Sequence, residues 1–208
     1  AVELCPPELC PPEPFRRVCF RQAGRLDWDT LSGQLQQHEQ VLCVVNSRKS
    51  AQEIFTRLSG EGNFHLSTLM YPAHRRAKLE EIRRRLREEL PCRVISTSLI
   101  EAGVDVDFPA VFREEAGLDS ILQAAGRCNR EGKRPVSESI VTLFRGEAVP
   151  PPLFQTAIGA GRMVLEQYDD IASQEAIQAY FHTLLELKGA ESQDIYGILP
   201  KIRTEDRK

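Results

Sequence analysis

The segment QAAGRCNR, residues 123–130, holds the residue types best suited to chemistry on an anion. Arg127 and Arg130 lie three residues apart just after Gly126, a spacing that can bring two guanidinium groups to one helix edge. A guanidinium is planar and always charged, so it can bind two phosphate oxygens at once. Gly126 would allow a ligand to approach the backbone closely. The segment therefore predicts a phosphate site, although two solvated surface arginines would leave the same pattern.

A second polar segment, ISTSLIEAGVDVD, begins at Ile95 in an apolar run that predicts a buried strand. Ligands of open α/β sheets bind where strands end, and this is where Thr97 and Ser98 stand. Their hydroxyl groups suit a phosphodiester, and Asp105 offers an acceptor for a ribose hydroxyl. An ordinary turn with Thr97 or Ser98 capping a helix is the alternative interpretation.

A third segment, VVNSRKS, follows the apolar run at 41–45 and places Asn46 and Ser47 at another strand end. Capping of a helix by Ser47 explains this pattern equally well. Because loops of a parallel sheet converge at its carboxyl edge, we expect all three segments to form one surface there.

The elements that must position these segments alternate along the chain. Strands are predicted at 17–21, 41–45, 65–69, 92–97, 110–113 and 139–144, and helices at 26–38, 50–58, 74–90 and 173–188. Alternating elements of this kind predict an α/β fold with a doubly wound, mainly parallel sheet. The prolines at 150–152 interrupt the pattern, and we expect a Pro-rich linker at 1–16, a core domain at 17–148, and a linker with a small helical tail at 149–208.

Composition narrows the class of protein. The net charge of −3 argues against a nucleic-acid footprint over the whole surface but leaves room for a local basic track. The helix at 74–90 carries many arginines, yet its glutamates at i,i+4 spacing favour a solvated, ion-paired face. No stretch is apolar enough to span a membrane, and irregularly spaced cysteines fit a reducing cytoplasm.

Phosphate cradles and metal ligands are missing from the sequence. It contains neither GxxxxGK[ST] nor an acidic metal-binding motif after a strand, and no metal site is expected. The chain thus lacks the groups that hold a nucleotide triphosphate and Mg²⁺, and neither is expected to bind to this chain alone.

The three segments together resemble motifs IV, V and VI of superfamily 2 helicases, in the right order. The stretch STSLIEAGVDVDFPAVFREEAGLDSILQAAGRCNREG and the segment LMYPAHRRAKLEEIRRRL are similar to the helicase-nuclease of type I CRISPR–Cas systems. The similarity is strongest over residues 41–146. It implies the second RecA-like domain of an ATP- and Mg²⁺-dependent enzyme that moves 3′ to 5′ along single-stranded DNA.

The resemblance also implies roles and partners. Arg127 and Arg130 would be arginine fingers. Four further residues would line the nucleotide cleft: Gln123 and Gly126 beside the arginines, and Gly103 and Asp105 near the ribose and γ-phosphate. The DNA backbone would meet Asn46, Ser47, Thr97 and Ser98. Expected partners are single-stranded DNA, a first RecA-like domain, an HD nuclease domain and the RNA-guided surveillance complex.

Two other interpretations stay open. The chain could be part of another superfamily 2 translocase, such as a restriction-enzyme motor. It could instead be a non-catalytic interaction module whose exposed cleft face docks an inhibitor or another partner protein. Turnover of ATP with and without the missing half would separate these interpretations.

Overall fold

The computed structural model describes residues 16–100 and 104–189. Its centre is a six-stranded sheet in the order β1-β6-β5-β2-β4-β3, in which every neighbouring pair is parallel. The strands are β1 (Cys19–Arg25), β2 (Gln40–Val44), β3 (Asn63–Leu66), β4 (Cys92–Ser96), β5 (Ala110–Glu114) and β6 (Ile140–Arg145). The predicted α/β fold is confirmed, and the sheet is parallel throughout.

In the described ranges, six α-helices connect or follow the strands. They are α1 (Trp28–Gln36), α2 (Arg48–Arg57), α3 (Pro72–Arg87), α4 (Leu118–Ala125), α5 (Pro152–Gln167) and α6 (Gln174–Lys188). Parallel neighbours require a crossover connection. Helices α1 to α4 lie in the connections β1–β2, β2–β3, β3–β4 and β5–β6, whereas a 3₁₀ turn follows β4 before β5. Within the described residues, no helix is both long and apolar enough to cross a membrane.

Strand β2 lies in the interior of the sheet, and all five of its residues are buried. An uninterrupted apolar run suits a strand that is covered on both faces. Alternate residues Val41, Cys43 and Val45 join one core cluster with Leu31 and Leu35 of α1. The period of two along the strand therefore brings α1 onto one face of the sheet.

Strand β3 ends earlier than the sequence predicts. Residues 65–69 have strand propensity, but the strand stops at Leu66. The Leu69 N–H donates to the Ser67 hydroxyl at 3.3 Å, and the Met70 N–H donates to the Ser67 carbonyl at 3.0 Å. Serine forms such turns readily, and this turn leaves Leu69 exposed.

Helix α3 spans Pro72–Arg87 and is shifted from the predicted 74–90. Proline is favoured in the first helical turn, because its missing N–H has no intrahelical partner there. Glu89 adopts a positive φ of 53°, and the Leu90 N–H reaches back to the Arg85 carbonyl at 3.0 Å. This left-handed residue ends the helix before Pro91.

The chain divides into two compact units. One takes in the described residues up to Glu115 together with Ser120–Pro150, and the other takes in Ala116–Asp119 with the described residues from Pro151 onward. In the second unit, α5 packs against α6, which confirms the predicted helical character of the tail up to residue 189. The buried Tyr180 hydroxyl donates to the Asp119 carboxylate at 2.6 Å. Burial raises the pKa of this tyrosine.

Candidate functional site

The segment Arg127–Arg130, called here the arginine loop, follows helix α4 and pairs with the residues before β5. The Phe108 N–H donates to the Arg127 carbonyl at 2.8 Å, and the Asn129 N–H donates to the Phe108 carbonyl at 3.0 Å. Phe108 precedes β5, so the loop lies at the amino end of that strand. The expectation that all three motif segments share the carboxyl edge is wrong for this loop, because α4 carries the chain back along the sheet.

Asn129 holds the arginine loop in shape. It adopts a left-handed backbone conformation with a φ of 47°, which asparagine tolerates better than most residues. Its amide nitrogen donates to the Arg17 carbonyl at 2.9 Å and to the Arg134 carbonyl at 2.8 Å. Its side-chain oxygen accepts from the Arg134 N–H at 3.0 Å. The turn at Asn129 gives Arg127 and Arg130 different environments.

The two arginines contact the two ends of one segment. Arg127 is only 8% exposed, and its Nε donates to the Ile100 carbonyl at 3.1 Å. Arg130 is exposed, and its Nε lies 2.7 Å from Oδ1 of Asp105. Ile100 and Asp105 flank residues 101–104, so the structure brings the first and second chemistry-bearing segments together. The predicted residue Gly103 lies outside the described residues.

Asp107 and Arg134 complete this cluster and were missed by the sequence reasoning. Asp107 accepts from the Arg130 backbone N–H at 2.7 Å and pairs with Arg134 at 3.0 Å. The signal was available, since VDVD places a second aspartate two residues after Asp105. The Asp107 carboxylate is largely buried and accepts from the Arg130 backbone N–H. The Arg130 side chain is thereby left to reach Asp105.

Gln123 and Gly126 lie at the end of α4 and are exposed. The Gly126 N–H donates to the Leu122 carbonyl at 2.9 Å, which continues the helical pattern. A Cβ on Gly126 would meet only ordinary contacts with its own helix, at 3.4 Å or more. The space outside this glycine is therefore open to a ligand, as predicted, but no close approach by another part of the described chain requires it.

Thr97 and Ser98 stand where β4 ends, as predicted. Thr97 is buried, and its carbonyl accepts from the Ser96 hydroxyl at 2.9 Å and from the Ile100 N–H at 3.3 Å. Ser98 begins a short 3₁₀ turn and is exposed. Of the two hydroxyl groups, that of Ser98 faces solvent at the carboxyl edge of the sheet.

Asn46 and Ser47 follow β2 at the same edge, but their side chains are engaged within the protein. The Asn46 amide donates to the Glu115 carbonyl at 2.7 Å and accepts from the Arg113 guanidinium at 2.9 Å. The Ser47 hydroxyl caps α2 by accepting from the Ser50 N–H at 3.0 Å. The capping interpretation of Ser47 is thus confirmed.

A buried charged pair, Arg113 and Glu114, ends β5 beside Asn46. The Asn46 N–H donates to Oε2 of Glu114 at 2.7 Å, and Gly146 leaves the space that this carboxylate needs. Burial raises the pKa of Glu114, although the Asn46 N–H and the Arg113 guanidinium oppose this shift. Sequence reasoning passed over both residues, whose signal is a charged pair inside an otherwise apolar strand.

A cavity of about 880 Å³ opens at the amino edge of the sheet. It is lined by charged groups of both signs, among them Arg83, Asp105, Asp107 and Arg134. Within the part of the chain that the structure describes, no group of three or more histidine, cysteine, aspartate or glutamate residues could hold a metal ion. The arginine loop and Asp105 offer guanidinium donors and a carboxylate acceptor, which suits phosphate oxygens and a hydroxyl group.

The sheet is parallel and six-stranded, and Arg127 and Arg130 contact the polar segment after β4. This is the arrangement of a RecA-like helicase domain. A solved structure described as T. fusca Cas3 with ATP shares this fold with a TM-score of 0.67, over 89% of this chain and 25% of that chain, at 13% identity. A chain in a structure described as a CRISPR RNA-guided surveillance complex, pre-nicking, has a TM-score of 0.57 over 86% of this chain and 28% of its own length, at 14% identity. These likenesses show the fold.

Sequence comparison finds similarity to the same group of proteins. Residues 37–133, just under half of the chain, match the family described as CRISPR-associated nuclease/helicase Cas3, C-terminal. A Haloferax volcanii CRISPR-associated nuclease/helicase Cas3 is 64% identical over 42 residues, which cover 20% of this chain and 4% of the relative. Its counterpart from Methanothermobacter thermautotrophicus is 28% identical over 134 residues, 62% of this chain and 16% of the relative.

These matches show that residues 37–133 are similar to the C-terminal region of CRISPR-associated nuclease/helicase Cas3 proteins. The chain spans only 4% and 16% of the two curated relatives that it matches. The predicted RecA-like α/β fold is confirmed by the structural neighbours, and the sequence similarity agrees with the predicted resemblance to a C-terminal helicase domain.

Proposed function

We propose that this chain works as the C-terminal RecA-like half of an ATP-dependent translocase that moves 3′ to 5′ along single-stranded DNA in CRISPR interference. It supplies arginine fingers and contacts to the DNA backbone, and it does not hydrolyse ATP on its own. The direction of movement follows from the family resemblance.

One observation carries this proposal. Arg127 and Arg130 contact opposite ends of the segment from Ile100 to Asp105, with Nε to oxygen distances of 3.1 and 2.7 Å. The segment that continues β4 and the loop with two guanidinium groups therefore form one unit. A movement at the end of β4 would reach Arg127 directly through its hydrogen bond to the Ile100 carbonyl, which would couple a DNA-binding edge to a phosphate-binding loop.

The donor set of this unit fits a nucleotide. When bound, ATP supplies a polyphosphate whose hydrolysis drives movement, and Mg²⁺ shares in neutralising its charge. Here Arg130 would exchange its exposed partner Asp105 for phosphate oxygens, and Asp105 would then accept from a ribose hydroxyl. The buried Arg127 would hold the loop in place through its hydrogen bond to the Ile100 carbonyl. Gln123 and Gly126 would border the nucleotide, while the metal would be held by the first RecA-like domain.

The carboxyl edge of the sheet supplies the DNA contacts in this proposal. The exposed Ser98 hydroxyl would donate to a phosphate oxygen, as backbone-positioning residues do. Thr97, Asn46 and Ser47 would contribute mainly by shaping this edge, since Thr97 is buried and the other two side chains already hold partners within the protein. Single-stranded DNA would thus cross the ends of β2 and β4.

The parent enzyme would also contain a first RecA-like domain and an HD nuclease domain, and the RNA-guided surveillance complex would recruit it. An inhibitor protein is a further candidate for the cleft face. We place the enzyme in the cytoplasm, because three of the four described cysteines are buried free thiols, which fit a reducing compartment.

The decisive experiment measures ATP turnover by the purified chain, alone and mixed with a polypeptide that carries the first RecA-like domain. The chain alone should show only background turnover, since arginine fingers act on a nucleotide held by other groups. The mixture should hydrolyse ATP, and single-stranded DNA should stimulate it.

Two results would contradict the proposal. Turnover by the chain alone that is lost with Arg130→Lys would show that it holds the nucleotide by itself. A mixture that associates but gains no DNA-stimulated turnover would favour a non-catalytic docking module. The matched control is Arg145→Lys, because Arg145 also forms an exposed 2.7 Å ion pair, with Glu115, but lies outside the motif segments.

A further inference from the structure

Three neighbouring strands end side by side at the carboxyl edge. The order β2-β4-β3 places β4 in the middle, so the Ser98 turn is flanked by the segment after β2 and the segment after β3. The first flank begins α2 at Arg48, and the second runs from Ser67 to the start of α3 at Pro72. The proposed function uses the middle and the first flank but assigns nothing to the second.

That second flank displays two large apolar side chains to solvent. Leu69 is 77% exposed and Tyr71 is 67% exposed. Tyr71 occupies the N-cap position of α3, where serine, threonine or aspartate would stabilise the helix, and it makes no side-chain capping bond. Its ring lies 5.6 Å from that of His74, tilted by 39°. Neither burial nor capping accounts for Tyr71, so its face is available to a flat partner.

Positive charge lies next to this ring and differs between the two ends of α3. Near its end, Arg84 and Arg85 both pair with Glu81, at 2.8 and 2.9 Å. Near its start, Arg75 and Arg76 form no ion pair with any residue in 16–100 or 104–189. Arg75 and Arg76 are therefore available to an outside partner near Tyr71.

We propose that Tyr71 is a base-stacking platform for single-stranded DNA, with Leu69 packed beside the same base and Arg75 and Arg76 neutralising the adjoining phosphates. The proposal rests on the proposed function, because it extends the DNA path from Ser98 across the end of β3. An exposed aromatic ring beside unpaired cations is the combination that binds single strands without sequence preference. Stacking requires the base, whereas the contacts of Ser98 and the arginines require only the phosphates.

The test measures binding of the full 208-residue chain, at low salt, to an oligo-dT of about 15 nucleotides and to an abasic strand of the same length. The wild-type chain should bind oligo-dT about tenfold more tightly than the abasic strand, which corresponds to roughly 1.4 kcal/mol. Tyr71→Ala should abolish this difference without changing abasic binding, and Tyr71→Phe should preserve it. Phe181→Ala removes an exposed aromatic from the second unit and should behave as wild type.

A salt titration separates stacking from charge. Tyr71→Ala should keep the salt dependence of wild type, while Arg76→Gln should lower its slope by about one counterion. Equal oligo-dT affinity for Tyr71→Ala and wild type, equal losses on both strands, or failure of Tyr71→Phe would overturn the stacking assignment alone. A wild-type chain that binds neither strand would contradict the proposed function as well.

Discussion

The arginine loop and the carboxyl edge differ in how their polar groups are used. In the arginine loop, the Arg130 side chain and its backbone N–H bind Asp105 and Asp107, and Arg127 binds Ile100. At the carboxyl edge, Ser98 and Tyr71 face solvent. The loop is held in a defined shape by partners that a ligand can replace, because exposed ion pairs such as Arg130–Asp105 stabilise little. The edge is open before any ligand arrives.

The largest effect that separates the two regions concerns catalysis. In the enzyme assembled from both halves, Arg130→Lys should lower ATP turnover by at least about 100-fold and leave DNA affinity nearly unchanged. Arginine fingers contribute roughly 10³–10⁵ in rate, and lysine keeps the charge but loses the planar fork. Steady-state ATPase and DNA-binding measurements on the same preparation check this.

Arg127→Lys should have a similar effect on turnover, but Arg127 is buried against Ile100, so its unfolding must be measured in parallel. The exposed Arg130 carries no such ambiguity. Turnover near wild type in Arg130→Lys would place the loop among ordinary surface features and remove the contrast with the carboxyl edge.

A smaller effect tests whether Asn46 belongs to the scaffold of the carboxyl edge. Asn46→Ala removes an acceptor from the buried Arg113 guanidinium and a donor to the Glu115 carbonyl. The loss of these two hydrogen bonds, one of them to a buried charged group, should lower the free energy of unfolding by about 2 kcal/mol. Urea denaturation measures this, and Ser98→Ala, which changes an exposed hydroxyl at the same edge, should be within about 0.5 kcal/mol of wild type.

The smallest effect depends on pH and concerns Glu114. Its folded-state pKa is raised above the ordinary value of 4.5 by burial, so folding favours the protonated carboxyl. The stability that it contributes is present below pH 4.5 and is lost as the pH rises through the raised pKa. Glu114→Gln should therefore gain stability relative to wild type as the pH increases across this window, while the Asn46 N–H keeps its acceptor. A constant difference between the two proteins from acid to neutral pH would show that Glu114 does not titrate in this way.

Much of the fold could be predicted from local patterns. Buried strands β2, β4 and β5 follow from continuous apolar runs, and α3 follows from spaced leucines and a flanking proline. Their boundaries move by a few residues where turn chemistry intervenes, as Ser67 does at the end of β3. The positions of Thr97 and Asn46 at the carboxyl edge follow from the same reasoning, because each comes directly after a strand.

The arginine loop could not be placed in this way. Residues that directly follow parallel strands meet at the carboxyl edge of the sheet. The arginine loop comes after helix α4, which returns the chain to the opposite edge. The left-handed turn at Asn129 depends on two partners of its side chain. Arg17 lies 112 residues away along the chain, and Arg134 lies 5 residues away. No local pattern predicts such pairing, so two arginines expected to act from one helix edge instead occupy a buried and an exposed position.

The strand order of the sheet has a consequence for folding during synthesis on the ribosome. Strands β2, β3 and β4 lie close together in the chain and can associate as soon as they emerge. Among the described strands, β1 pairs with β6 alone, and Cys19 lies opposite Ile140 in the register. At the usual 5–20 residues per second, β1 must wait about 6–24 seconds for a partner that is synthesised about 120 residues later. During that time its backbone is an unpaired edge for chaperones to cover.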